Sequence, residues 1–135
     1  MSHAIPPYNP ADDPLSRMRA YQLAREVADE AWTDCDRLRR EPIAEKVAVQ
    51  LYSAVGSITA NLAEGYSRSS GRDRARIFEY ALGSVRESMM WYHTAKPLLG
   101  AEVVSGRLNK LEQVRRLLMA IIPRERGRLI RPKDG

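Results

Sequence analysis

The run AVQLYSAVGSITANLAEG, residues 48–65, sets Ala48, Leu51, Val55, Ile58 and Leu62 at alternating spacings of three and four. That spacing lays all five side chains along one stripe of an α-helix, a packed seam. The helix cannot extend far upstream, because Glu41 precedes Pro42 and the residue before a proline is pushed out of the α region. It is expected to restart at Pro42 or Ile43 and to end at Gly65, a residue able to take a left-handed C-cap.

Downstream, Ser67-Arg68-Ser69-Ser70-Gly71-Arg72 is polar and short, a tight connection between antiparallel neighbours. Ser70 with Asp73 three residues on resembles a capping box. A third helix follows with Phe78, Leu82, Val85, Met89 and Tyr92 as its seam, and is expected to stop at Pro97, with Gly100 marking the turn. A fourth carries Val104, Leu108, Leu111, Val114, Leu118 and Ile121 or Ile122, with Pro123 closing it and Ser105-Gly106 weakening its first turns. Upstream, Asp13 caps and Pro14 opens a first helix reaching about Arg40. Its inward stripe is Leu23, Val27, Ala31, Cys35 and Leu38, flanked by Ala20, Ala24 and Ala28, while Glu26, Asp29, Glu30 and Asp36 face out.

No alternating strand pattern occurs anywhere, so the expected fold is all-α, an antiparallel up-down-up-down four-helix bundle. Residues 1–13, with Pro6, Pro7 and Pro10, read as a flexible arm, residues 14–123 as the bundle, and residues 124–135 as a basic tail. The length suits one domain.

The formal net charge is +5, but it is unevenly placed: residues 1–45 sum to −3 and residues 46–135 to +8. A basic surface favours anionic partners, and the asymmetry also favours assembly of the chain with itself. Cys35 is the single cysteine, which excludes an internal disulfide and fits a reducing cytoplasm. No window approaches the roughly 18 apolar residues of a membrane span. The two histidines, His3 and His93, have no partner ligands at metal-binding spacing, and no Gly-rich phosphate loop or nucleophile elbow is present. No cofactor or metal is therefore expected. One enzymatic pattern remains: Arg86 and His93 stand about two turns apart on the third helix, a spacing similar to that of HEPN-type ribonucleases.

Asn61 and Glu64 share one side of the second helix, and Ser84 and Glu87 hold the same relation on the third. Polar pairs beside a core either form a hydrogen-bond network that fixes helix register or line a pocket for a ligand or partner. The NLAEGY run at 61–66, Arg68-Ser69 after it, and the ALGSVRE run at 81–87 closely resemble the four-helix-bundle proteins first recognised within 23S rRNA intervening sequences. The resemblance covers about residues 15–122. That family is similar to the accessory protein of diversity-generating retroelements, a basic barrel-like pentamer that binds a reverse transcriptase and nucleic acid. The resemblance implies homo-oligomerisation, with a pentamer as the precedent, and a basic surface for RNA, DNA or a protein partner such as a reverse transcriptase. The proline-containing arm, Ser105-Gly106 and the arginine-rich tail depart from the family pattern.

The expected activity is that of a non-enzymatic scaffold. Its nucleic-acid contacts are expected at Arg68, Arg72, Arg74 and Arg76, around the start of the third helix, and at Arg115 and Arg116 on the fourth. The alternative is a protein-interaction scaffold using Trp32, Tyr52, Trp91 and Tyr92, rings that could equally complete the core.

Overall fold

A computed structural model describes residues 4–128, among which four long helices and no strand occur. Helix α1 spans Arg19–Leu38, α2 Glu45–Tyr66, α3 Gly71–Leu99 and α4 Ala101–Arg126. Trp32 of α1 meets Tyr52 of α2, Ser84 of α3 meets Ser57 of α2, and Arg74 near the start of α3 meets Glu125 near the end of α4. Arg107 of α4 reaches Glu30 and Asp34 of α1. Each helix is thus antiparallel to the next, and α4 closes the bundle against α1.

The core follows the stripes. Leu23, Val27, Ala31 and Leu38 of α1, Leu51, Val55, Ile58 and Leu62 of α2, Phe78, Val85 and Tyr92 of α3, and Leu111, Val114 and Leu118 of α4 are buried in one cluster. Leu82, Met89 and Leu108 sit at its margin, and Ile122 rather than Ile121 completes the α4 stripe.

The ends of the helices depart from expectation in five places. Asp13 and Pro14 do open a helical segment, but it is a single 3-10 turn, Pro14–Arg17, with the Asp13 carboxylate accepting from the Leu15 amide. A similar turn at Pro10–Asp12 is capped by Asn9, and Met18 is extended, so α1 begins only at Arg19. Another 3-10 turn, Pro42–Ala44, precedes α2. Gly65 does not end α2: the Ser67 amide bonds back to Ala63 and Glu64 within right-handed geometry, and Gly65 lies buried against the Phe78 ring. Pro97 and Pro123 do not end their helices, which run on to Leu99 and Arg126. Each proline withholds one amide from a carbonyl four residues back, on His93 and Met119, and both of those residues face water, which can take over the bond. The break between α3 and α4 falls instead to Gly100, whose φ of 91° places it where side chains are disfavoured.

Within the arm, residues 4–13 are all exposed. The tail is helical as far as Arg126, while Arg131 and Lys133 lie outside the described residues.

Candidate functional site

The antiparallel order brings the end of α2, the start of α3 and the end of α4 to one pole of the bundle, where α1 also begins. Ser70 caps α3 by accepting from the Asp73 amide at 3.1 Å, and Gly71 sits against the Glu125 carbonyl of α4. Only a residue without a side chain permits that approach. Seven arginines gather there, Arg68, Arg72, Arg74 and Arg76 with Arg124, Arg126 and Arg128, against the four carboxylates Glu64, Asp73, Glu79 and Glu125.

Their roles differ. Arg74 is largely buried, stacked over the Tyr66 ring at 5.2 Å and directed toward Glu125 at 3.6 Å, so it ties α2, α3 and α4 together rather than facing solvent. Arg68 with Glu64, Arg76 with Asp73, Arg126 with Glu79 and Arg128 with Glu125 form ion pairs whose arginines remain about half exposed. The first three pairs are exposed on both sides and contribute about 0–1 kcal/mol, so a phosphate can take the guanidinium from its carboxylate at little cost, whereas the Glu125 side chain is largely buried between Arg74 and Arg128. Among the described residues no carboxylate lies within ion-pair distance of the exposed Arg72 and Arg124. Arg115 and Arg116 do not join this group. They share Glu112, at 2.6 and 3.0 Å, and lie about 14 Å up α4 from Glu125 at 1.5 Å per residue. The hydrogen bonds from Arg115, and then that from Arg116, hold the Glu112 carboxyl down to about 2.

Of the residues expected to form a polar network, Asn61 and Ser84 do converge, on Ser57: the Asn61 amide donates to its hydroxyl at 3.2 Å and the Ser84 hydroxyl at 3.0 Å. Glu64 turns outward to Arg68, and Glu87 accepts from the Trp91 indole at 3.4 Å. A stronger polar layer lies elsewhere. The Asp34 carboxylate, 6 % exposed, accepts from the Tyr92 hydroxyl at 2.7 Å and from Arg107 at 2.8 and 3.1 Å. Arg107 also bonds Glu30, which Lys110 meets at 2.9 Å, so Glu30 is a half-buried partner rather than an outward charge. The sequence signal for Asp34 and Arg107 is their place on the inner stripes, between Ala31 and Leu38 and between Val104 and Leu111.

Burial, and then the bond to Asp34, push the Tyr92 phenol above its ordinary range, while burial pushes the Cys35 thiol up to about 12. Both groups bind their protons more tightly folded than unfolded, so the stability they contribute is complete below their ordinary values and is lost at higher pH. The expected melting temperature is therefore level from neutrality to about pH 9 and falls steeply beyond it, as thermal scans across pH 7–11 would show. Cys35→Ala should delay the onset of that fall.

Of the four aromatic rings, Tyr92 is fully buried and Trp91 half-buried, so neither offers a free face. Trp32 and Tyr52 remain 67 % and 42 % exposed and meet edge to face, 5.6 Å between centroids. With Val49 and Ala48 they line a groove of about 430 Å³ between the end of α1 and the start of α2. Arg86 and His93 both stand exposed on α3. No helix among the described residues is long and apolar enough to cross a membrane.

Comparison with curated proteins returned no match. Among solved structures, the crystal structure of a protein of unknown function from the S23 ribosomal protein family of Bacteroides thetaiotaomicron is similar in fold. It superposes with a TM-score of 0.72 at 21% sequence identity, over 76% of this chain and 97% of that one. Residues 16–120 match the family described as 23S rRNA-intervening sequence protein, and with that match over most of its length, on the four-helix architecture just described, the chain belongs to this family.

Proposed function

We propose that this chain is a non-enzymatic, homo-oligomeric scaffold that holds nucleic-acid phosphates at its basic pole. The observation that carries the reading is the convergence of Arg68, Arg72, Arg76, Arg124, Arg126 and Arg128 from three helix ends onto one surface, with Arg74 fastening those ends together. Guanidinium forks bind phosphate oxygens in pairs, and the amides at the start of α3 add to the attraction. Such contacts read the backbone and not the bases, so binding is sequence-tolerant.

Fluorescence anisotropy with a short single-stranded RNA tests this. With about four phosphates neutralised, the logarithm of affinity should fall with the logarithm of salt at a slope of about −3. Replacing Arg72 and Arg124 together by alanine should shallow that slope by about 1.4, whereas replacing Arg115 and Arg116 should leave binding as it was. RNA binding that ignores salt, or that responds equally to both double variants, would remove the reading.

A second reading, a protein-interaction scaffold without nucleic acid, is favoured by the exposed Trp32–Tyr52 groove at the far end of α1.

A further inference from the structure

We infer that the groove between α1 and α2 is filled by the Ile5–Tyr8 arm of a second copy of this chain. This rests on the homo-oligomeric part of the function proposed above and supplies its interface. The arm, Ile5-Pro6-Pro7-Tyr8, has no regular secondary structure, and its two large apolar side chains are 91 % and 86 % exposed. Extended proline-containing segments are stiff before they bind, so they lose little entropy on docking, and grooves lined by aromatic rings are their usual receptors. The Trp32–Tyr52 pair with Val49 is such a receptor, and Trp32 and Val49 are themselves 67 % and 64 % exposed.

The arm does not fill the groove of its own chain. Asn9 and Asp13 each lock a turn behind it, and the Gln22 side chain donates to the Ser16 carbonyl, pinning the second turn onto the first turn of α1. Trp32 lies about 20 Å further along α1 from Arg19 at 1.5 Å per residue. Arm and groove therefore occupy opposite ends of α1, and a contact between them joins two copies head to tail. Repetition of one such contact closes into a ring if its rotation permits. The contact is an apolar one: the arm segment Ile5–Tyr8 carries no charge, and the charged side chains lining the groove are only Asp36, Arg39 and Glu45, of which Asp36 and Arg39 already pair with each other.

Two variants of the full chain separate the halves of the contact: Ile5→Ser with Tyr8→Ser removes the arm's side chains, and Val49→Asp spoils the groove. All three positions are exposed, and circular dichroism would confirm that each variant keeps its helices. By light scattering, the wild type should form an oligomer and each variant should run at the 15.3 kDa of one chain. An equimolar mixture of the two variants should give a species of about twice that mass, because one intact arm and one intact groove remain and the chain of contacts stops there. Variants that keep the wild-type mass, or a mixture that stays monomeric, would overturn the arm-in-groove contact alone. A monomeric wild type would overturn it together with the oligomeric part of the proposed function, while salt-dependent RNA binding, measured on the same samples, stands or falls separately.

Discussion

Asp34→Ala is expected to lower the melting temperature by about 10–15 °C, corresponding to a loss of about 3–5 kcal/mol. Asp34 is the shared acceptor of a three-helix junction: it stands on α1, takes the Tyr92 hydroxyl from α3 and two guanidinium hydrogen bonds from α4. Removing it strands the Arg107 guanidinium, whose side chain is only 19 % exposed, with Glu30 as its remaining partner, and leaves the fully buried Tyr92 hydroxyl without an acceptor. The cost lies in what is left behind and not in the worth of the pair, so removing every member together should recover most of the loss. Asp34→Leu with Tyr92→Phe and Arg107→Met is the matching experiment, read by thermal and chemical unfolding. Asp36, two residues away and paired with Arg39 and Arg40 in solvent, provides the contrast, and Asp36→Ala should leave the melting temperature unchanged. Equal effects at Asp34 and Asp36 would mean that the junction does not hold the helices.

What could be read in advance, and what could not, follows from the range of each interaction. The α2 stripe of Leu51, Val55, Ile58 and Leu62 is written in local spacing, and all four are buried. Asp34 also falls on a stripe, but charge is ordinarily assigned to the outside, and its partner Arg107 is 73 residues away. Only the coincidence of two charges on the inner faces of two different helices would have exposed the pair. The arginines show the same limit. Arg68 to Arg76 are adjacent in the chain and were legible as a cluster, whereas Arg124, Arg126 and Arg128 join them only because α4 returns to the same pole, and Arg115 and Arg116 stay behind with Glu112. Pro123 reads as a stop because the missing amide is a local fact, while the solvent that compensates it depends on which face of α4 is turned outward.

Glycines carry this distinction into a second large effect. Gly56, Gly83 and Gly106 lie inside helices with nothing near the place a Cβ would occupy, so alanine at each should stabilise the fold by about 1 kcal/mol through helix propensity alone. Gly71→Ala should do the opposite. Its Cβ would overlap the backbone carbonyl oxygen of Glu125 and press on the Arg128 side chain, and a carbonyl cannot rotate aside as a side-chain end can. The start of α3 must then move off the last turn of α4, costing about 2–3 kcal/mol by overpacking and lowering the melting temperature by roughly 6–10 °C. The same displacement separates Arg72 and Arg76 from Arg124 and Arg126, and loosens the approach of Arg74 to Glu125. RNA affinity at low salt should therefore fall with the stability, and the salt slope should shallow, although no arginine has been removed. A Gly71→Ala protein that melts like the other three alanine variants would show that α3 and α4 do not meet there. One that is destabilised yet binds RNA unchanged would show that the arginines act singly and not as one surface.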